Sequence, residues 1–164
     1  MNSEQLRKTQ QETGKRLATL AEEATRTFRE ESPEAYEELL RAFEGKSADV
    51  GLLGHGGFHI EVRKRKLSIE PNAFRGGGAN AHGVTTPETL LDIADGRLTP
   101  LEAYFKGDLM VRAKSAELHQ AYDYLVKFSE AALRSKKLRD IVEEFRAEFG
   151  PSFDPRRDSN ASSE

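Results

Sequence analysis

Four histidines are the side chains of this sequence best suited to chemistry, and their spacing argues against shared metal binding. His55 and His59 stand four apart, a spacing that brings side chains together on a helix. The flanking Gly54, Gly56 and Gly57 point instead to turn and strand, where positions four apart are ~13 Å distant. His82 borders a glycine-rich segment, a setting in which loops around a cavity often carry functional groups, and is the candidate polar group of a pocket. His119 falls in the first turn of a helix, where a surface position is the ordinary expectation. Neither Gly54-His55-Gly56-Gly57 nor Gly76-Gly77-Gly78 opens a helix, and no Gly-Lys-Ser/Thr occurs, so no phosphate cradle is expected. No Gly-x-Ser-x-Gly elbow is present for a serine nucleophile. The absence of cysteine excludes disulfides, thiolate metal sites and thiol catalysis. These residues nominate no catalytic set, metal or cofactor.

Charge narrows the partners. With 25 basic and 28 acidic residues interspersed to a net −3, a general nucleic-acid binder is disfavoured. One basic cluster stands out, Arg63-Lys64-Arg65-Lys66, at the reversal between two strands. Such tips usually protect a hairpin from aggregation. Four clustered cations also supply ~1 kcal/mol each at an anionic lipid surface, enough for transient membrane contact. At 164 residues and 37% hydrophobic content the chain accommodates one modest core. Apolar runs fall far short of the ~20 residues of a membrane span, and Met1-Asn2-Ser3-Glu4-Gln5 lacks the form of a secretion signal, so a cytoplasmic location is expected.

The elements that must position these residues follow from periodicity. Residues 1–31 form an N-terminal extension whose Leu6, Leu17, Leu20, Ala24 and Phe28 make a thin helical stripe in need of a surface: its own domain, a twin subunit or a membrane. Ser32-Pro33 starts a second helix through Phe43, with Tyr36, Leu39, Leu40 and Phe43 inward and Gly45 ending it. From Ala48 to Pro71 the period becomes two, with Phe58, Ile60 and Val62 on one face and His59, Glu61 and Arg63 on the wet one. Leu67 and Ile69 continue the apolar face. Val50-Gly51-Leu52-Leu53 reads as the first strand and Ala81 to Thr85 as a short fourth. Phe74 to Asn80 reads as a flexible loop. Thr86-Pro87 and Thr99-Pro100 each place a hydroxyl at the N-cap and proline at N1. Glu102 completes a capping box in the second, which Gly107 stops. Asp108-Leu109-Met110-Val111-Arg112 alternates as a strand. Ser115 is placed to cap a helix bearing Leu118, Ala121, Tyr122, Leu125, Val126 and Leu133 on one side. Residues 135–149 form an amphipathic helix through Leu138, Ile141, Val142, Phe145 and Phe149, and residues 150–164 read as a disordered tail. The whole is an α+β domain over 32–134, a twisted and mainly antiparallel sheet of about five strands covered on one face by helices, with a helix added at each end.

The block from Leu90 to Val111 resembles the sterol carrier protein domain, the sterol-transfer family of small lipid-binding domains. Gly96-Arg97 closing an apolar helix, Pro100, the triplet Ala103-Tyr104-Phe105, and Gly107-Asp108-Leu109 opening the last strand carry the likeness, with Leu67 to Asn72 upstream. The resemblance covers roughly Ser47 to Leu133. It implies a twisted sheet under helices that leave an apolar tunnel for a fatty acyl chain or sterol, without metal or cofactor. The implied lining is Phe58, Ile60, Val62, Leu67, Ile69, Leu91, Tyr104, Phe105, Leu109 and Val111.

Three functions are compatible with these residues. The first is non-catalytic binding or carriage of a hydrophobic small molecule in that tunnel. The second is an accessory module with a filled core, which recruits partners or dimerises through its terminal helices. The third is a cofactor-free enzyme acting on a hydrophobic substrate, with His82, Glu102, Tyr104 or Asp108 as acid or base. A tunnel and a packed core require the same periodicity and differ only in side-chain volume and helix spacing.

Overall fold

Asn2 caps the first helix, α1 (Ser3–Glu31), by accepting from the Gln5 amide at 2.9 Å, while the Gln5 side chain returns the bond to the Asn2 N–H. The computed structural model describes residues 2–72 and 79–151, so most of the triple-glycine segment and of the expected tail lie outside the described residues. α1 runs unbroken through Gly14, where a side chain would collide with the Asn72 carboxamide. Close docking is the reason for glycine there. Asn72 donates to the Gln11 carbonyl at 2.9 Å and Thr13 donates to the His55 carbonyl at 2.6 Å, fastening the helix to the strands below. The second helix, α2 (Pro33–Ala42), starts with proline at N1, but the Ser32 hydroxyl makes no capping bond.

Five strands form one sheet: β1 (Ser47–Leu52), β2 (Gly56–Arg63), β3 (Lys66–Pro71), β4 (Ala81–Thr85) and β5 (Leu109–Ala113). Their order is β3-β2-β1-β4-β5, with β1 beside β4 parallel and every other pair antiparallel. The first strand begins at Ser47, three residues before the expected Val50. Ala48 and Asp49 belong to it because they pair with Ile60 and His59. Four helices remain: α3 (Pro87–Ala94), α4 (Pro100–Lys106), α5 (Ser115–Arg134) and α6 (Lys136–Phe149). The two Thr-Pro starts behave as the capping rules require. Thr86 accepts from the Thr89 amide, Thr99 and Glu102 form a reciprocal box, and Gly107 ends α4 at φ 79°. At α5 the N-cap is Lys114, without a side-chain bond, and the expected cap Ser115 is the first helical residue.

Pleating sends Ala48, Val50, Leu52, Phe58, Ile60, Val62, Leu67 and Ile69 to one face, which the helices cover. Phe58 and Leu52 are buried with Leu17, Ala18 and Leu20 of α1, Leu91 of α3, and Phe145 and Phe149 of α6. Val62 is buried with Phe28, Tyr36 and Leu40 in an adjoining cluster, against which Phe128 of α5 packs. The apolar stripes of α1 and α6 therefore lie against this chain's own sheet. Arg16 reinforces that arrangement with ion pairs from α1 to Glu144 and Glu148 of α6.

A second polar staple holds α6 to α3. Asp95, the C-cap of α3 and 9% exposed in its side chain, meets Arg97, Arg139 and Arg146. Desolvation pushes its carboxyl up, but hydrogen bonds from Arg146 and Arg139 and the charges of Arg146 and Arg97 prevail and hold it at about 2. The same contacts raise the Arg146 guanidinium further above its usual range.

Candidate functional site

The ten residues expected to line a tunnel fall into three groups. Phe58 and Leu91 sit in the cluster under α1 and α6, with Ile60 and Ile69 packed against it; Val62 and Leu67 belong to the adjoining cluster. Leu109 and Val111 lie half-buried on β5, at the other side of the sheet. Tyr104 and Phe105 form a ring pair on α4 and face outward, Phe105 with 77% of its surface exposed. The Thr-Pro helices α3 and α4 stand at the end of the sheet, and the layer over β2 and β3 is α1.

Gly83 stands out elsewhere on the covered face. In the register Phe58–Val50–Gly83–Val111, Gly83 lies near the centre of the sheet. A methyl group placed on Gly83 would meet no atom of the described residues within 4 Å, whereas a packed core position is surrounded by atoms at contact distance. Small residues flank it one row away, Ala48, Ala81 and Ala113. α5 leaves β5 and passes Lys46, Phe43 and Phe28 before reaching Gly96 with Leu133. The predicted stripe residues Leu118, Ala121, Tyr122, Leu125 and Val126 are each only half-buried. Val50, Leu109 and Val111 share this face of the sheet with Gly83. Sequence reasoning passed over Gly83; its signal was a glycine inside an alternating strand, which marks close approach or missing volume.

A further groove of about 340 Å³ lies between the end of α1, the start of α2 and α5. Phe28, Ala35 and Ala131 floor it, and Glu31, Glu130, Lys127 and Arg134 rim it.

The opposite face of the sheet carries a transverse polar row, Glu70, His59, Asp49, His82 and Arg112, one residue from each strand. Asp49 and His59 are buried, 4% and 5% exposed, which corrects the expectation that His59 stands on a wet face. Asp49 Oδ1 accepts from His59 Nδ1 at 2.7 Å, and His82 Nδ1 lies 3.4 Å from Asp49 Oδ2. Pairing explains the burial, because a desolvated imidazole and carboxylate satisfy one another. Asp49 was missed in the sequence because the register that joins it to His59 is not local. Among the described residues no cluster of three or more His, Cys, Asp and Glu is placed to hold a metal. His55 lies apart, edge-on to Phe149, and His119 is near Asp123 on the exposed side of α5.

The basic tip is a two-residue turn in which Lys64 and Arg65 both take left-handed φ, 52° and 56°. That conformation costs a residue with a side chain ~1–2 kcal/mol. Glu44 offsets it by accepting from both amides, at 2.7 and 3.0 Å. Arg63 pairs with Glu61, and all four cations of the tip are exposed. Among the described residues no helix is long and apolar enough to cross a membrane.

No protein-family model matches this chain, and no curated protein matches it. Several solved structures are similar to it, two of which carry informative descriptions. One, described as the UbiJ-SCP2 ubiquinone synthesis protein, matches over 63% of this chain and 80% of its own, at 13% identity and a TM-score of 0.47. The other is the solution structure of the conserved hypothetical protein TT1886 from Thermus thermophilus, offered as a sterol carrier protein. It matches over 82% of this chain and 90% of its own, at 18% identity and a TM-score of 0.42.

Proposed function

We propose that this chain binds and carries a hydrophobic small molecule, lodged beneath α5 on the β1, β4 and β5 part of the covered face. The observation that supports the reading is that a side chain at Gly83 would meet no described atom within 4 Å, on a strand face shared with the half-buried Val50, Leu109 and Val111. Apolar guests enter such sites by leaving water, at about 25 cal/mol per Å² removed from solvent. The sterol-carrier-like block from Leu90 to Val111 supports the same class of cargo. Transient docking of the Arg63–Lys66 tip to an anionic membrane gives the carrier access to it. The filled interior over β2 and β3 favours a second reading, an accessory module that holds no cargo.

Gly83→Leu separates the two. Gly83 has no left-handed φ that would penalise a side chain, so the variant tests volume. A carrier takes up a fluorescent long-chain fatty acid at micromolar concentration, and Gly83→Leu weakens uptake at least ~10-fold while leaving the melting temperature unchanged or raised. No uptake by the parent protein in that assay and in native mass spectrometry with added lipid, together with a Gly83→Leu melting temperature several degrees lower, would establish the module with a solid interior.

A further inference from the structure

β5 ends the sheet, and its outer edge is open. Thr85 accepts from the Leu53 amide, so the main-chain groups of Thr85 point to β1 and those of Val84, by alternation, to β5. The register partners Met110 and Arg112 therefore turn their main-chain groups inward to β4, and Leu109, Val111 and Ala113 turn theirs outward. Among the described residues no hydrogen bond from beyond the sheet reaches Leu109 to Ala113. Natural edges are usually guarded by proline, a bulge or several charges. This one has an unbroken register, no proline and a single charge, Arg112. Beside it Met110 is 55% exposed and Phe105 77%.

We propose that a second copy of this chain pairs with β5 in antiparallel fashion about a twofold axis through Met110. The occupant follows from the strand's own pattern. Met110 and Arg112 share one face of β5 and Asp108 stands in the bend immediately before it; all three are exposed, and no ion pair among the described residues involves Asp108 or Arg112. Antiparallel pairing centred on Met110 sets Asp108 opposite Arg112 of the partner subunit twice and Met110 opposite Met110 of the partner subunit. Both opposite-charge pairs are of the kind that stabilise facing strands. Sliding to the next register that the outward groups allow sets Arg112 against Met110 and loses that complementarity. The same geometry places Leu109 and Val111 as the hydrogen-bonded pair and Met110 at a non-hydrogen-bonded site, where facing Cα atoms stand ~4.5 Å apart. A disulfide spans that distance.

The chain has no cysteine, so Met110→Cys introduces a single thiol. On mild oxidation of the full chain, Met110→Cys forms a covalent dimer at least ~10-fold faster than Leu53→Cys, a site of similar exposure away from the edge. By sedimentation equilibrium at about 100 μM the parent protein is dimeric, Asp108→Arg weakens association at least ~10-fold, and the double exchange Asp108→Arg with Arg112→Asp restores it. A parent protein monomeric at that concentration overturns the proposal. So does equal cross-linking at the two cysteine positions, or a double exchange no better than the single change.

Discussion

Over β2 and β3 the sheet is met by α1 and α6, whose Leu17, Leu20, Phe145 and Phe149 are buried in one cluster with Phe58. At β5 it is met by α5, in which Ala132 is the buried residue and the stripe from Leu118 to Val126 is half-covered. Both regions share one sheet, one pleat and the same kind of amphipathic helix. They differ in volume. The first places Phe, Leu and Ile between its layers, whereas the row across β1, β4 and β5 carries Ala48, Ala81, Gly83 and Ala113, so equal periodicity is filled with side chains of different size.

The largest test of that contrast is a pair of truncations. Leu20→Ala removes a 3%-exposed side chain from the filled half and costs about 3 kcal/mol, whereas Leu125→Ala in the α5 stripe costs less than about 1 kcal/mol, both from urea unfolding. Equal losses would mean that the two halves are packed alike. Next comes the staple that holds α6 over the filled half. Asp95→Asn lowers stability by about 1–2 kcal/mol at pH 7, allowing for residual solvent screening. The folded carboxyl, at about 2, lies below its ordinary value of 3.8, so its contribution is present above pH 4 and fades as the pH falls towards 2. The gap between parent and variant should close over that window; a constant gap would assign the loss to something other than the ion pairs. The smallest effect is dynamic. Amides at the centre of α5 should exchange with deuterium at least ~10-fold faster than those from Leu17 to Phe28, and matching protection would remove the distinction.

Local chemistry made much of this legible in advance. Thr86-Pro87, the Thr99 and Glu102 box, and left-handed Gly107 are settled within a few residues, and α3, α4 and β5 lie where those signals put them. The alternation of Phe58, Ile60 and Val62 likewise identified the covered face. Partnership across the chain was not legible. The stripe of α1 called for a surface without saying which, and its seat on β2 depends on Gly14 meeting Asn72, 58 positions later. Asp49 and His59 look like ordinary strand polars until register aligns them. Gly83 reads as a weak strand residue, and its meaning comes from the atoms that do not surround it.

The seam between α1 and α6 bears on how the protein is made. Arg16 and Glu148, joined across it, are 132 residues apart in sequence. As the chain leaves the ribosome, α1, made before the strands, waits with its oily side bare until β2 and β3 appear, and the interior is not sealed until α6 has emerged. Assembly dominated by such distant contacts is slow and leaves a nascent chain exposed to self-association. Before the seam closes, the greasy side of α1 is the surface a chaperone would grasp.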